Sequence, residues 1–156
     1  PNFRNELKYD DETIRRFKWL VSCTDLLLPS GEELEHAANM TVDSVNNEAT
    51  AVTILFELGI GEIVLKRGAK GATCYRPGQP LINSPAFVVD ELDPTGAGDC
   101  FGGAYVACRR LGLESAEALL YANAAGARNV TVRGPMEGAG TRAELDLFIS
   151  KTQQKT

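Results

Sequence analysis

An alternation narrows the fold most: short apolar runs bounded by turn residues take turns with longer stretches of helical period. Asp25-Leu26-Leu27-Leu28-Pro29 is a compact apolar run stopped by proline, the pattern of a buried parallel strand. Glu62–Lys66 is a second such run, and Ala72–Tyr75 returns as a strand after the tight turn Gly68–Gly71. Helical period surrounds them. Asp10–Leu20 spaces Ile14, Phe17 and Leu20 for one apolar face, and Ser30 with Glu33 forms a capping-box pattern ahead of Leu34 and Ala37. Asp43 or Ser44 can cap a helix through Ala51, Ile54, Leu55 and Leu58 that stops at Gly59. A Pro/Gly-rich stretch, Pro77–Pro85, leads into Phe87-Val88-Val89. Helices are then predicted over Phe101–Leu111, over Glu114–Asn129, and from a Thr141 cap through Leu145 and Phe148. Strands alternating with helices predict an α/β fold with a mainly parallel sheet. No repeat or linker divides the chain, so residues 1–150 read as one domain and 151–156 as a polar tail that frays.

Composition excludes several classes of function. A net charge of −5 over 156 residues argues against nucleic acid or an anionic membrane as partner. No apolar run approaches the ~20 residues that cross a bilayer. Cys23, Cys74, Cys100 and Cys108 form no C-x-x-C pair, and the single histidine, His36, leaves no recognisable zinc spacing. These are the features of reduced thiols and a surface histidine in a cytoplasmic protein. The opening Pro1-Asn2-Phe3-Arg4 lacks an initiator methionine, which raises the expectation of a start inside a larger protein.

Chemistry concentrates at Thr95-Gly96-Ala97-Gly98-Asp99, at the mouth of a predicted helix. Glycines there allow close backbone approach, while unpaired N–H groups and the helix dipole make an anion site. Neither a Walker A loop nor a G-x-G-x-x-G fingerprint fits the spacing. One reading is a tight turn in which Asp99 only complements the dipole. The other is phosphoryl transfer: a carboxylate beside a phosphate site makes sense if it takes a proton from an attacking hydroxyl.

Asp93-Pro94-Thr95-Gly96-Ala97-Gly98-Asp99-Cys100-Phe101 resembles the D-[TP]-T-G-A-G-D-x-F signature of ribokinase-like (PfkB-type) carbohydrate kinases. The resemblance implies a three-layer αβα fold, of which this chain matches the C-terminal, nucleotide-binding half. It implies Asp99 as catalytic base, Gly96, Ala97 and Gly98 as the anion hole, and a monovalent cation (potassium in many members) near Asp93, Thr95 and the Gly134 carbonyl. Lys66-Arg67-Gly68-Ala69-Lys70-Gly71 resembles the turn along the nucleotide phosphates, with Gly68 near them and Lys66 in a nucleotide-binding role; a solvated hairpin explains the same side chains. Pro29-Ser30-Gly31-Glu32-Glu33 resembles the P-x-N-x-x-E region, which makes Glu33 a magnesium organiser through water, in competition with its capping role. Asn123 and Gly126 match the adenine-pocket helix, where close helix packing is the rival explanation. Arg4 resembles a substrate-proximal arginine of fructokinase-like and ketodeoxygluconate-kinase-like members. The implied activity is ATP- and Mg2+-dependent phosphorylation of a sugar or sugar-acid hydroxyl, in a parent protein with an N-terminal half. A non-catalytic nucleotide-binding module, or a nucleoside or vitamin kinase, stays open beside it. Half a parallel sheet leaves an edge exposed, so either a homo-oligomer or docking with the missing half is expected.

Overall fold

A computed structural model describes residues 11–155, without the side chains of Asp11 and Ile14. Arg4 and its segment lie outside the described residues. The elements run α1 (Asp11–Ser22), β1 (Leu26–Leu27), α2 (Gly31–Ala38), α3 (Val45–Glu57), β2 (Glu62–Lys66), β3 (Ala72–Tyr75), β4 (Ile82–Ser84), α4 (Ala97–Arg110), α5 (Ser115–Asn129) and α6 (Arg142–Lys151). The strand order is β1-β2-β3-β4. β1 and β2 are parallel, with Leu26 opposite Glu62 and Leu27 opposite Ile63. The short Arg67–Gly71 connection into β3 allows only an antiparallel return. The class is α/β as expected, with both kinds of pairing among the described strands. No described helix is long and apolar enough to cross a membrane.

The chain forms two compact units, Pro1–Lys66 with Cys74–Leu81, and Arg67–Thr73 with Ile82–Thr156. In the first, Leu34, Ala51, Leu55, Ile60, Ile63 and Leu65 make the core, with Phe17 and Val21 of α1 packed into it. Leu20, predicted on that face, is 49% exposed. The helix steps from Phe17 to Val21, an i,i+4 spacing that keeps both on one side where i,i+3 would have used Leu20. Ser44 is the cap of α3, its hydroxyl accepting the Asn47 N–H, while Asp43 accepts the Asn47 side-chain amide at 2.6 Å. Gly59, at φ 105°, ends that helix as predicted.

In the second unit, Phe87, Tyr121, Ala124, Ala125 and Leu145 are the core, and the Phe87 and Phe148 rings meet edge-on at 5.3 Å. Two expectations fail here. The Pro/Gly-rich stretch contains a strand, β4, because pairing with β3 rather than apolar content defines it. The tail is held through Lys155: Val88 donates to the Gln153 carbonyl at 2.8 Å and Lys155 to the Ala86 carbonyl at 2.7 Å. An antiparallel bridge between Phe87 and Gln154 therefore orders residues whose own composition is polar. The helix predicted from Phe101 begins already at Ala97, which brings Asp99 into its first turn.

Candidate functional site

The α4 N-terminus is built by backbone. Gly96 is the N-cap at φ 75°, ψ −2°, a left-handed conformation with no side chain to cap the helix. Space forbids one as well: a Cβ there would lie 1.8 Å from the Pro135 carbonyl oxygen. Ala97 donates to the Pro94 carbonyl at 3.2 Å, closing the turn, and the Gly96 carbonyl accepts from Cys100 at 2.9 Å. The N–H groups of Gly96, Gly98 and Asp99 have no partner among the described residues. Asp99 is exposed, and its carboxylate accepts no hydrogen bond from a described residue. Burial raises the neighbouring Cys100 thiol above its ordinary pKa, and the Asp99 charge adds to the rise.

Two side chains tie this turn to the loop 134–138. Asp93 accepts the Thr95 N–H at 3.0 Å on one oxygen and the Gly134 N–H at 2.9 Å on the other. Hydrogen bonds from the Thr95 hydroxyl, the Gly134 amide and the Thr95 amide, with Arg133 nearby, hold its pKa down at about 2. Asn129, fully buried at the end of α5, donates to the Thr95 carbonyl at 2.9 Å and the Pro135 carbonyl at 3.3 Å, and accepts the Gly138 N–H at 3.1 Å. Asp93, Thr95, Gly96 and Gly134 are thus brought together. Asn129 escaped the sequence reading because a lone polar residue ending an alanine-rich helix carries no spacing signal.

The remaining predicted residues have their bonds elsewhere. Asn123 donates to Ser84 O and Oγ, both at 3.0 Å, and to Pro85 O at 3.3 Å, fastening α5 to the end of β4. At Gly126 a Cβ would sit 3.3 Å from the Ala97 carbonyl and 3.6 Å from Phe101 Cβ, so its small size lets α4 lie close on α5. Gly68 is exposed at φ 54° with open space around the missing Cβ. In the first unit Glu33 and Lys66 meet at 3.5 Å. Glu33 also accepts the Ser30 N–H at 2.7 Å while the Ser30 hydroxyl takes the Glu33 N–H, a complete capping box. Burial pushes the Glu33 pKa up, but the Ser30 amide, Lys66 and the Ser30 hydroxyl outweigh it and hold the carboxyl below its ordinary value. No group of three or more His, Cys, Asp or Glu among the described residues is arranged to hold a metal.

Residues 93–101 thus form a helix end whose Gly96, Gly98 and Asp99 N–H groups and Asp99 carboxylate have no partner among the described residues. The model for the pfkB family of carbohydrate kinases matches residues 1–142. The chain belongs to the pfkB family. Ribokinase from Haemophilus influenzae is 30% identical over 130 residues, covering 83% of this chain and 42% of the relative. An E. coli protein assigned as ribokinase II superimposes in its apo form with a TM-score of 0.87 at 38% identity, over 97% of this chain and 47% of that one. Fructokinase from Vibrio cholerae, bound to fructose, ADP and potassium, gives a TM-score of 0.78 at 27% identity, over 96% and 48%. The chain therefore spans less than half the length of these pfkB relatives, and its fold is the corresponding part of the ribokinase fold.

Proposed function

We propose that this chain carries the phosphoryl-transfer end of an ATP-dependent sugar or sugar-acid kinase, with Asp99 as its base. The observation that carries the reading is the α4 N-terminus without a side-chain cap, where N–H groups and a carboxylate with no partner among the described residues share one helical turn. The donors of Gly96, Gly98 and Asp99 suit the equatorial oxygens of a phosphoryl group in transfer. The Ala97 N–H, a donor implied by the signature, also bonds the Pro94 carbonyl at 3.2 Å. Asp99, exposed, is free to take the proton of a substrate hydroxyl.

ATP and magnesium fit this donor set as one ligand: the described residues offer no carboxylate cluster, so the metal would arrive on the phosphates. The E. coli ribokinase II has been solved with ATP and Mg2+, at 38% identity. A monovalent cation is proposed beside Asp93 and the Gly134 loop. Magnesium supplies charge neutralisation on the phosphates when bound. Glu33 stays a proposed magnesium organiser through water, and Lys66 and Asn123 proposed nucleotide contacts, beside the cap, ion-pair and tether bonds they make.

The test is turnover of the full-length protein with ATP and a panel of ribose, fructose and a 2-keto-3-deoxy sugar acid. Asp99→Asn is expected to lower kcat on the order of 10²–10⁴-fold while an ATP analogue still binds. Near-normal kcat in the variant would remove Asp99 from the base role. Nucleotide binding with no turnover on any hydroxyl would make the protein a binding module.

A further inference from the structure

We infer that Asn129 is a positioning residue that aims the Gly96 N–H at the phosphoryl group, an inference that rests on the reading of the α4 N-terminus given above. The argument starts from one peptide plane. The Thr95 carbonyl and the Gly96 N–H belong to the same peptide unit, and no peptide bond among the described residues is cis. In a trans unit these two groups point in opposite directions. Asn129 Nδ2 donates to that carbonyl at 2.9 Å, so the bond fixes where the N–H on the far side points. The same nitrogen lies 3.3 Å from the Pro135 carbonyl, the oxygen that crowds the absent Cβ of Gly96. Asn129 Oδ1 in turn holds the Gly138 N–H at 3.1 Å. One buried amide therefore grips the turn, the oxygen above it and the loop behind it.

A role confined to helix termination does not explain this set. None of these Asn129 side-chain bonds goes to its own helix; they go to residues 95, 135 and 138. The backbone end of α5 is closed separately, by Val130 N–H to the Gly126 carbonyl at 3.2 Å. With its amide sites matched and no exposure, Asn129 is costly to alter and sits where its orientation is transmitted to a ligand donor. It touches no anion itself.

Calorimetric titration of this chain with inorganic tripolyphosphate, and with a non-hydrolysable Mg–ATP analogue, tests the inference. Asn129→Asp keeps the acceptor for Gly138 and loses the donor to Thr95 and Pro135. Asn129→Leu is near-isosteric and uncharged. Both are expected to weaken tripolyphosphate on the order of tenfold, the loss of about one oriented hydrogen bond. Leu145→Ala serves as the control, since it loosens the same unit's core without contacting the turn; it should bind within about twofold of the unaltered chain. Retained affinity in Asn129→Leu, or an equal loss in Leu145→Ala, overturns the positioning role. An unaltered chain that binds neither probe sinks the phosphate-site reading and the inference with it, a pattern different from a variant that binds normally. Where the Asn129 variants do not fold, the Asn129 side-chain amide resonances of the unaltered chain decide. They should shift along the tripolyphosphate binding curve, and resonances that stay still refute the coupling.

Discussion

Helices α2 and α4 begin with the same device and use it oppositely. Each has a carboxylate at the third helical position, Glu33 after Ser30 and Asp99 after Gly96. In α2 the cap residue has a hydroxyl, and the carboxylate folds back onto the cap amide to close the helix end. Helix α6 repeats that closure with Thr141 and Glu144. In α4 the cap residue is a left-handed glycine with nothing to offer, and the carboxylate accepts no hydrogen bond from a described residue. A closed end is worth stability; an open end leaves its donors and carboxylate uncommitted to a cap. The difference between the two carboxylates thus lies in the cap residue, three positions earlier.

The largest effect that can break this comparison is at Gly96. Gly96→Ala must relieve both a positive φ and a Cβ 1.8 Å from the Pro135 oxygen. Chemical denaturation is expected to register a loss on the order of 2–5 kcal/mol. A loss under about 0.5 kcal/mol would mean that the turn relaxes freely and that its openness is not imposed. Next come the caps: Ser30→Ala and Thr141→Ala should each cost about 1 kcal/mol. Asp99→Asn, at the equivalent helical position, should stay within about 0.5 kcal/mol, since no cap bond is lost. Equal costs at all these positions would erase the distinction.

The smallest effect is a pH slope. The folded pKa of Asp93 is depressed, from an ordinary 3.8 to about 2, so its contribution is present above 3.8 and is lost as pH falls toward 2. Asp93→Asn should flatten that part of the profile of thermal midpoint against pH. An unchanged slope would show that the bonds to Thr95 and Gly134 do not depend on the charge.

What was legible in the sequence was local. The capping box at Ser30, the cap at Thr141, the strand Glu62–Lys66 and the glycine signature all draw their meaning from neighbours within a few residues. Expectations failed where a partner far along the chain decides. β4 exists because β3 pairs with it, and the polar tail is ordered by Ala86 and Val88. Asn129, which the sequence reading missed, acquires its place from a carbonyl at Thr95. On α1 the error was of a different kind, since Leu20 and Val21 are equally apolar and only the core's position chooses between them.

The crowding at Gly96 also sets a rule for reading unfamiliar relatives. A sequence may preserve every acidic and aromatic letter of the signature and still carry a side chain at this one position. Such a chain must either withdraw the Pro135 segment or surrender the left-handed turn, and in both cases the donors lose their common aim. Glycine at this position is thus a stricter marker of this open turn than the aspartate, because a changed carboxylate leaves the backbone untouched whereas a single methyl group has no room beside the Pro135 oxygen.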